Sequence, residues 1–258
     1  MKRNRKDFDI SSIQPLVEDF DTFIDYIEKN EQKLTKKGEV LGKKMLYELN
    51  NKMIYKKEVN APKFQQKFYP LVSLLFDLSI YSKIFVKKAD EKGNLFLKST
   101  KIKDEYRRLN LHEKYIFLFE IYWTSIDFES LFGISCFYYD SLNIDEILQF
   151  AANNNEGDII VKGTFSGDPN YDAAYMMLTP FIYHMYFFGF FEYKERDYRD
   201  KKPKATDDKF EYIELKNHGI QMCKILLEER QFENWNIPFF IKEFDEYVLD
   251  RLALEKVE

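Results

Sequence analysis

Between Lys33 and Lys57 the chain sets eight lysines against two glutamates, Glu39 and Glu48. Lys36, Lys37, Lys43, Lys44, Lys52, Lys56 and Lys57 in that stretch, with Lys87 and Lys88 beyond it, are compact point charges suited to phosphates or to the carboxylates of an acidic partner. The arm Lys2, Arg3, Arg5 and Lys6 adds four more cations. If phosphates are the target, each neutralised phosphate steepens the salt dependence of binding by about one unit of log–log slope. The ordinary alternative is that such lysines are the solvated sides of helices. A second basic run, Arg196, Arg199, Lys201, Lys202 and Lys204, is interleaved with Glu195, Asp197, Asp200, Asp207 and Asp208. Mixed signs suit a solvated hairpin or a protein contact better than a phosphate clamp.

Other chemistry is sparse. His112, His184 and His218 fall in separate segments, without a His-Glu-x-x-His or Cys/His ligand spacing, so no metal site and no cofactor is expected. His184 reads as a core or rim residue and His218 as a cap. The carboxylates Asp19, Asp21 and Asp25, and again Asp245 and Glu246, read as solvated helix faces rather than an acid/base pair, which needs unequal burial. No glycine-rich phosphate loop is present, and "GISCF" at 133–137 lacks the second glycine of a nucleophile elbow. No catalytic residue is assigned, and the chain is not expected to be an enzyme.

The elements that would carry these residues are mostly helical. Ile13, Leu16, Val17, Phe20, Phe23, Ile24 and Ile27 recur at spacings of three and four, which predicts an amphipathic helix over 13–29. Leu41, Met45, Leu46, Leu49 and Met53 predict a second helix of about three turns, with Lys43, Lys44 and Lys52 on its polar side. "KFQQKFYPLVSLLFDLSIYSK" is apolar nearly all round and predicts a helix buried on several sides, bent or started late by Pro70. "IFVKKADEKGNLFLKS" alternates on either side of a charged Gly-Asn turn, the mark of a β-hairpin. Thr100 is placed to cap the next helix, and Asn110 with Glu113, then Asn143 with Glu146, form capping boxes for a helical stack. "IIVKG" predicts a brief strand, and Asp168 with Pro169 a helix start. That helix leads into two strands around a long charged excursion, then a helix near Gly219 and a last one over 238–254.

The order over 13–108 is helix, extended piece, helix, helix, strand, charged hairpin, strand, helix, and its second half recurs over 168–229. "LFLKST" at 95–100 and "YIELKNHG" at 212–219 both end a strand with Leu-Lys and turn into a helix. "LTKKG" at 34–38 matches a Leu-Thr-x-x-Gly pattern, and "LKNHG" at 215–219 departs from it at Lys216. On these features the chain resembles the winged-helix (winged helix-turn-helix) family, in tandem. The 13–108 arrangement is similar to winged-helix segments of uncharacterised bacterial proteins. The resemblance implies a fold that is mainly α with small β-hairpins (α+β), as two winged-helix-like units joined by a helical stack. Its divisions fall at 1–108, 109–160 and 161–258, and the charged excursions become wings, with Arg196, Arg199, Lys201, Lys202 and Lys204 as wing contacts. Family members commonly bind DNA through the helix before the wing. Here that helix is poor in cations: "YDAAYMMLTPFIYHMYFF" has none, and the first unit's has Lys63 and Lys67 at its start and Lys83 at its end.

Composition narrows the class further. The chain has 258 residues, 17% aromatic content with 25 Phe and 18 Tyr, and a net charge of −5, so it has material for filled cores and is no general polyanion binder. Cys136 and Cys223 are far apart in apolar contexts, which suggests neither a disulfide framework nor a metal clamp and fits a reducing, cytoplasmic setting. No apolar run is long enough for a membrane span. The expectation is a non-enzymatic interaction or regulatory module acting mainly through protein–protein contacts or self-association. The alternative is a nucleic-acid-binding regulator that docks through the basic N-terminal unit and wing.

Overall fold

The computed structural model describes residues 10–30, 33–128, 144–161, 179–196, 210–238 and 240–241. These residues are mainly helical with small antiparallel sheets, an α+β arrangement. The chain groups into two compact units. One comprises Met1–Phe119 with Phe181–Phe190, the other Glu120–Pro180 with Phe191–Glu258.

In the first unit α1, Ile10–Lys29, turns Ile13, Leu16, Phe20, Phe23, Ile24 and Ile27 inward, as the three- and four-residue spacing requires. Helix α2, Lys43–Asn50, is shorter than the apolar spacing predicts. Leu41 and Met53 are buried but lie outside it; Leu41 is excluded because Gly42 is extended and the Leu41 N–H donates to the buried Gln66 Oε1 at 3.1 Å. The long connection that follows is pinned by buried polar groups. Asp19 accepts from the N–H groups of Ile54 and Tyr55 at 2.6 and 3.1 Å, and Asn50 bonds both the N–H and the carbonyl of Lys57.

A 3-10 turn, Gln66–Phe68, precedes α3, Pro70–Tyr81. Pro70 thus marks a late start, at a position where its missing N–H breaks no helical bond. Leu71, Val72, Leu74, Leu75, Phe76 and Leu78 are buried, and α3 packs on α1 and α2. Strands β1, Phe85–Ala89, and β2, Leu95–Ser99, pair from Phe85↔Ser99 to Ala89↔Leu95. Asp90 accepts from the N–H groups of Lys92 and Asn94 to fix the turn between them. On the other side of β2, Lys33 bridges to Phe96, and the Leu34 N–H bonds the Leu95 carbonyl at 2.8 Å. Thr100 caps α4, Lys101–Arg107, accepting from Ile102 N–H at 3.1 Å. Asn110 and Glu113 exchange side-chain and backbone bonds at the start of α5, Leu111–Ser125.

The segment Phe181–Phe190 completes this unit. Phe188 meets Phe119 edge-on and Phe190 stacks on it, with centroids 5.2 and 5.5 Å away, and Tyr115 donates to the Phe188 carbonyl at 2.8 Å. Gly189 has φ +78°, and a Cβ there would lie 2.5 Å from the Ser12 carbonyl oxygen.

In the second unit α6, Ile144–Asn153, buries Ile147, Leu148 and Ala151 and packs on a later helix. Strand β3, Ile159–Ile160, realises the brief strand that "IIVKG" predicts. Helix α7, Thr179–Phe187, contributes its first residues here and the rest to the first unit, with Phe181, Ile182, Tyr183, Met185 and Phe187 buried. Strands β4, Phe191–Glu195, and β5, Phe210–Leu215, form the second predicted pair, and the sheet order is β3-β5-β4. Helix α8, Asn217–Glu229, is the partner of α6 and starts two residues before Gly219, which lies within its first turn. A short α9, Phe232–Trp235, places Phe232 against Trp123 and Phe128, while Asn236 donates to the carbonyls of Trp123 and Ile126. The capping box at Asn143, the start at Asp168 and Pro169, and most of the last predicted helix lie outside the described residues.

Candidate interaction surface

The predicted lysines are displayed by several elements of the first unit. Lys36 and Lys37 occupy the turn after the Lys33 bridge, Lys43 and Lys44 open α2, and Lys52, Lys56 and Lys57 follow it, all exposed. Lys44 lies 3.8 Å from Glu48, and Lys56 lies 3.4 Å from Glu58, both loose surface pairs. Lys87 is the most committed of the set, at 3.0 Å from Glu39 and with its ammonium 5.8 Å from the Phe76 ring centroid. Lys88, one residue on, points to the opposite face of the strand and is exposed. Arg196 is exposed and donates through Nε to the Phe210 carbonyl at 3.2 Å. Arg199, Lys201, Lys202 and Lys204 lie outside the described residues, as do the N-terminal Lys2, Arg3, Arg5 and Lys6.

The helix before the first hairpin offers little to a polyanion. Its less buried positions, Pro70, Ser73, Asp77, Ile80 and Tyr81, include no cation and one carboxylate. Burial raises the Asp77 pKa to about 7, against the opposing pull of Lys87. The apolar run around Asp77 is the signal that a carboxylate there would sit in a desolvated setting.

The acidic residues of α1 divide differently from the solvated face predicted for them. Asp19 is 1% exposed and serves as a buried acceptor for two backbone N–H groups, a correction to that expectation. Asp21, Asp25 and Glu28 are tied to the α4–α5 segment: Lys114 meets Asp21 at 2.7 Å, Arg107 meets Asp25 and Glu28 at 2.7 Å each, and Lys103 pairs with Glu28.

His184 is buried and its pKa is pushed down to about 3 by that burial, so it stays neutral. His218 is also buried, near the start of α8, and burial pushes the Cys223 thiol well above its ordinary range. Among the described residues no group of three or more His, Cys, Asp or Glu is placed to hold a metal ion. No helix among them is long and apolar enough to cross a membrane. Comparison with known protein families, curated proteins and solved structures finds no match for this chain.

Strand register brings together a group that residue spacing did not single out. Lys33, Phe96 and Lys88 lie in one cross-strand row, with Lys98 beside them. Alternation along β1 and β2 carries half of this signal. Lys33 joins the row only through a single bridge, which no local pattern marks.

Proposed function

We propose that this chain is a non-enzymatic interaction or regulatory module of the winged-helix type, acting mainly through protein–protein contacts. Two features support the fold component of that reading. A helix directly precedes each hairpin in the chain, α3 before β1 and β2 and α7 before β4 and β5, and each set of extended pieces has its last strand in the middle: Lys33 bridge, β2, β1 in one, and β3, β5, β4 in the other. The observation that carries the functional component is the burial of α3. A helix that buries its apolar residues in the core and carries no cation at its less buried positions is unfit to enter a groove lined with phosphates.

The nucleic-acid reading is favoured by one observation, the exposed Lys36, Lys37, Lys43, Lys52, Lys57 and Lys88, none of which has a carboxylate in ion-pair range among the described residues. Anisotropy titrations of labelled duplex and single-stranded oligonucleotides at about 50 and about 200 mM salt separate the two. The module reading expects no binding at the lower salt. Binding that weakens by several orders of magnitude on raising the salt, and is lost in the Lys43→Glu/Lys44→Glu/Lys56→Glu/Lys57→Glu variant, overturns it in favour of nucleic acid.

A further inference from the structure

The two hairpins present faces of opposite character. On the first, the row Lys33, Phe96, Lys88 and the neighbouring pair Val86 and Lys98 lie on the side away from the buried Phe85 and Leu97. Lys33, Lys88 and Lys98 are exposed around a half-buried Phe96, whose ring centroid is 5.6 Å from the Lys98 ammonium. Strands β1 and β2 contain three lysines and no carboxylate.

On the second hairpin, register sets Glu192 directly across from Glu214, with Ile159 next in the row and Lys194 and Tyr212 in the row beside it. This side faces away from the buried Phe191, Ile213 and Leu215. Strands β4 and β5 contain four glutamates and one lysine. Like charges directly opposite one another destabilise a sheet. Among the described residues the Lys216 ammonium lies near both, at 3.9 Å from Glu192 and 3.6 Å from Glu214. Ile159 is 49% exposed beside them.

We propose that the lysine-bearing face of the first hairpin docks on the glutamate-bearing face of the second hairpin of another copy of this chain. Opposite charges on the two faces match, and each has an apolar centre, Phe96 on one and Ile159 with Tyr212 on the other. An incoming ammonium adds to Lys216 in offsetting the repulsion between Glu192 and Glu214. The contact joins two different surfaces, so it propagates head to tail into a closed ring or an open chain. It rests on the protein-contact reading above and names the partner that reading leaves open.

Sedimentation velocity over a wide concentration range, at about 50 and about 500 mM salt, tests it. The full chain is expected to associate at low salt and to dissociate at high salt. Two variants, Lys33→Glu/Lys88→Glu/Lys98→Glu and Glu192→Lys/Glu214→Lys, are each expected to stay monomeric, while an equal mixture of the two re-forms the assembly. A wild-type chain that is monomeric throughout, or variants that associate as well as wild type, overturns the proposal. A monomer that binds a poly-glutamate peptide through the three lysines overturns self-pairing and leaves the interaction reading intact. A monomer that binds an oligonucleotide there overturns both.

Discussion

Asp77 is a carboxylate on an otherwise apolar helix, and burial holds its pKa near 7. Its folded value lies above the ordinary one near 3.9, so its contribution to stability is complete below about pH 4 and is lost as pH rises through about 7. Asp77→Asn removes that loss. Thermal melts are expected to show the variant gaining on wild type between pH 5 and pH 8, by about 2–4 °C for each kcal/mol recovered. A parallel pair of curves counts against Asp77 being the titrating group. Gly189 makes a steric prediction. Its positive φ and the 2.5 Å approach to the Ser12 carbonyl leave no room for a methyl group, so Gly189→Ala is expected to destabilise by roughly 3 kcal/mol or more in denaturant melts. A change below 1 kcal/mol would mean that the backbone there yields easily.

At the scale of elements, two kinds of tether hold α4 and can be ranked by magnitude. Thr100 supplies a capping bond at the helix start and also donates to the Lys83 carbonyl at 2.7 Å, whereas Arg107 spans Asp25 and Glu28 on α1 in a largely exposed setting. Thr100→Val is expected to cost about 1–2 kcal/mol and Arg107→Ala well under 1, measured by chemical denaturation at moderate salt. The reverse order would show that the ion-pair network is the stronger tether. The elements that sequence made readable are those with a strong local signal. Thr100, the Asn110 and Glu113 box and the alternation around 84–98 all appear where expected, and of the bend or late start left open at Pro70 the late start is found. What escaped depended on distant partners. Asp19 reads as solvated because its spacing on α1 is ambiguous, and only the return of Ile54 and Tyr55 makes it a buried acceptor. The row through Lys33 needs strand register, and the start of α2 after Leu41 needs Gln66 to hold Leu41. For the candidate lysines among the described residues, the sequence indicated exposure. It did not reveal that Lys87 is drawn to Glu39 while Lys88 faces the other way.

At the scale of the whole molecule, the chain crosses between its two units at 119/120, 180/181 and 190/191. A linear reading of composition cannot see that ten residues from the middle of the second half return to complete the first core. A fragment ending at Phe119 lacks Phe188 and Phe190, which cover Tyr115 and Phe119, and lacks the carbonyl that Tyr115 bonds. Residues 1–119 alone are therefore expected to give a poorly dispersed amide NMR spectrum, and the full chain a dispersed one. A well-dispersed fragment spectrum would show that this closing segment is dispensable.

That returning segment also sets an order of events during biosynthesis. At about 5–20 residues per second, the stretch from Phe119 to Phe190 takes several seconds to be made. Throughout that interval the nascent N-terminal half carries an uncovered aromatic site. Ribosome-associated chaperones would meet it there, and pausing of translation within this stretch would lengthen the exposure.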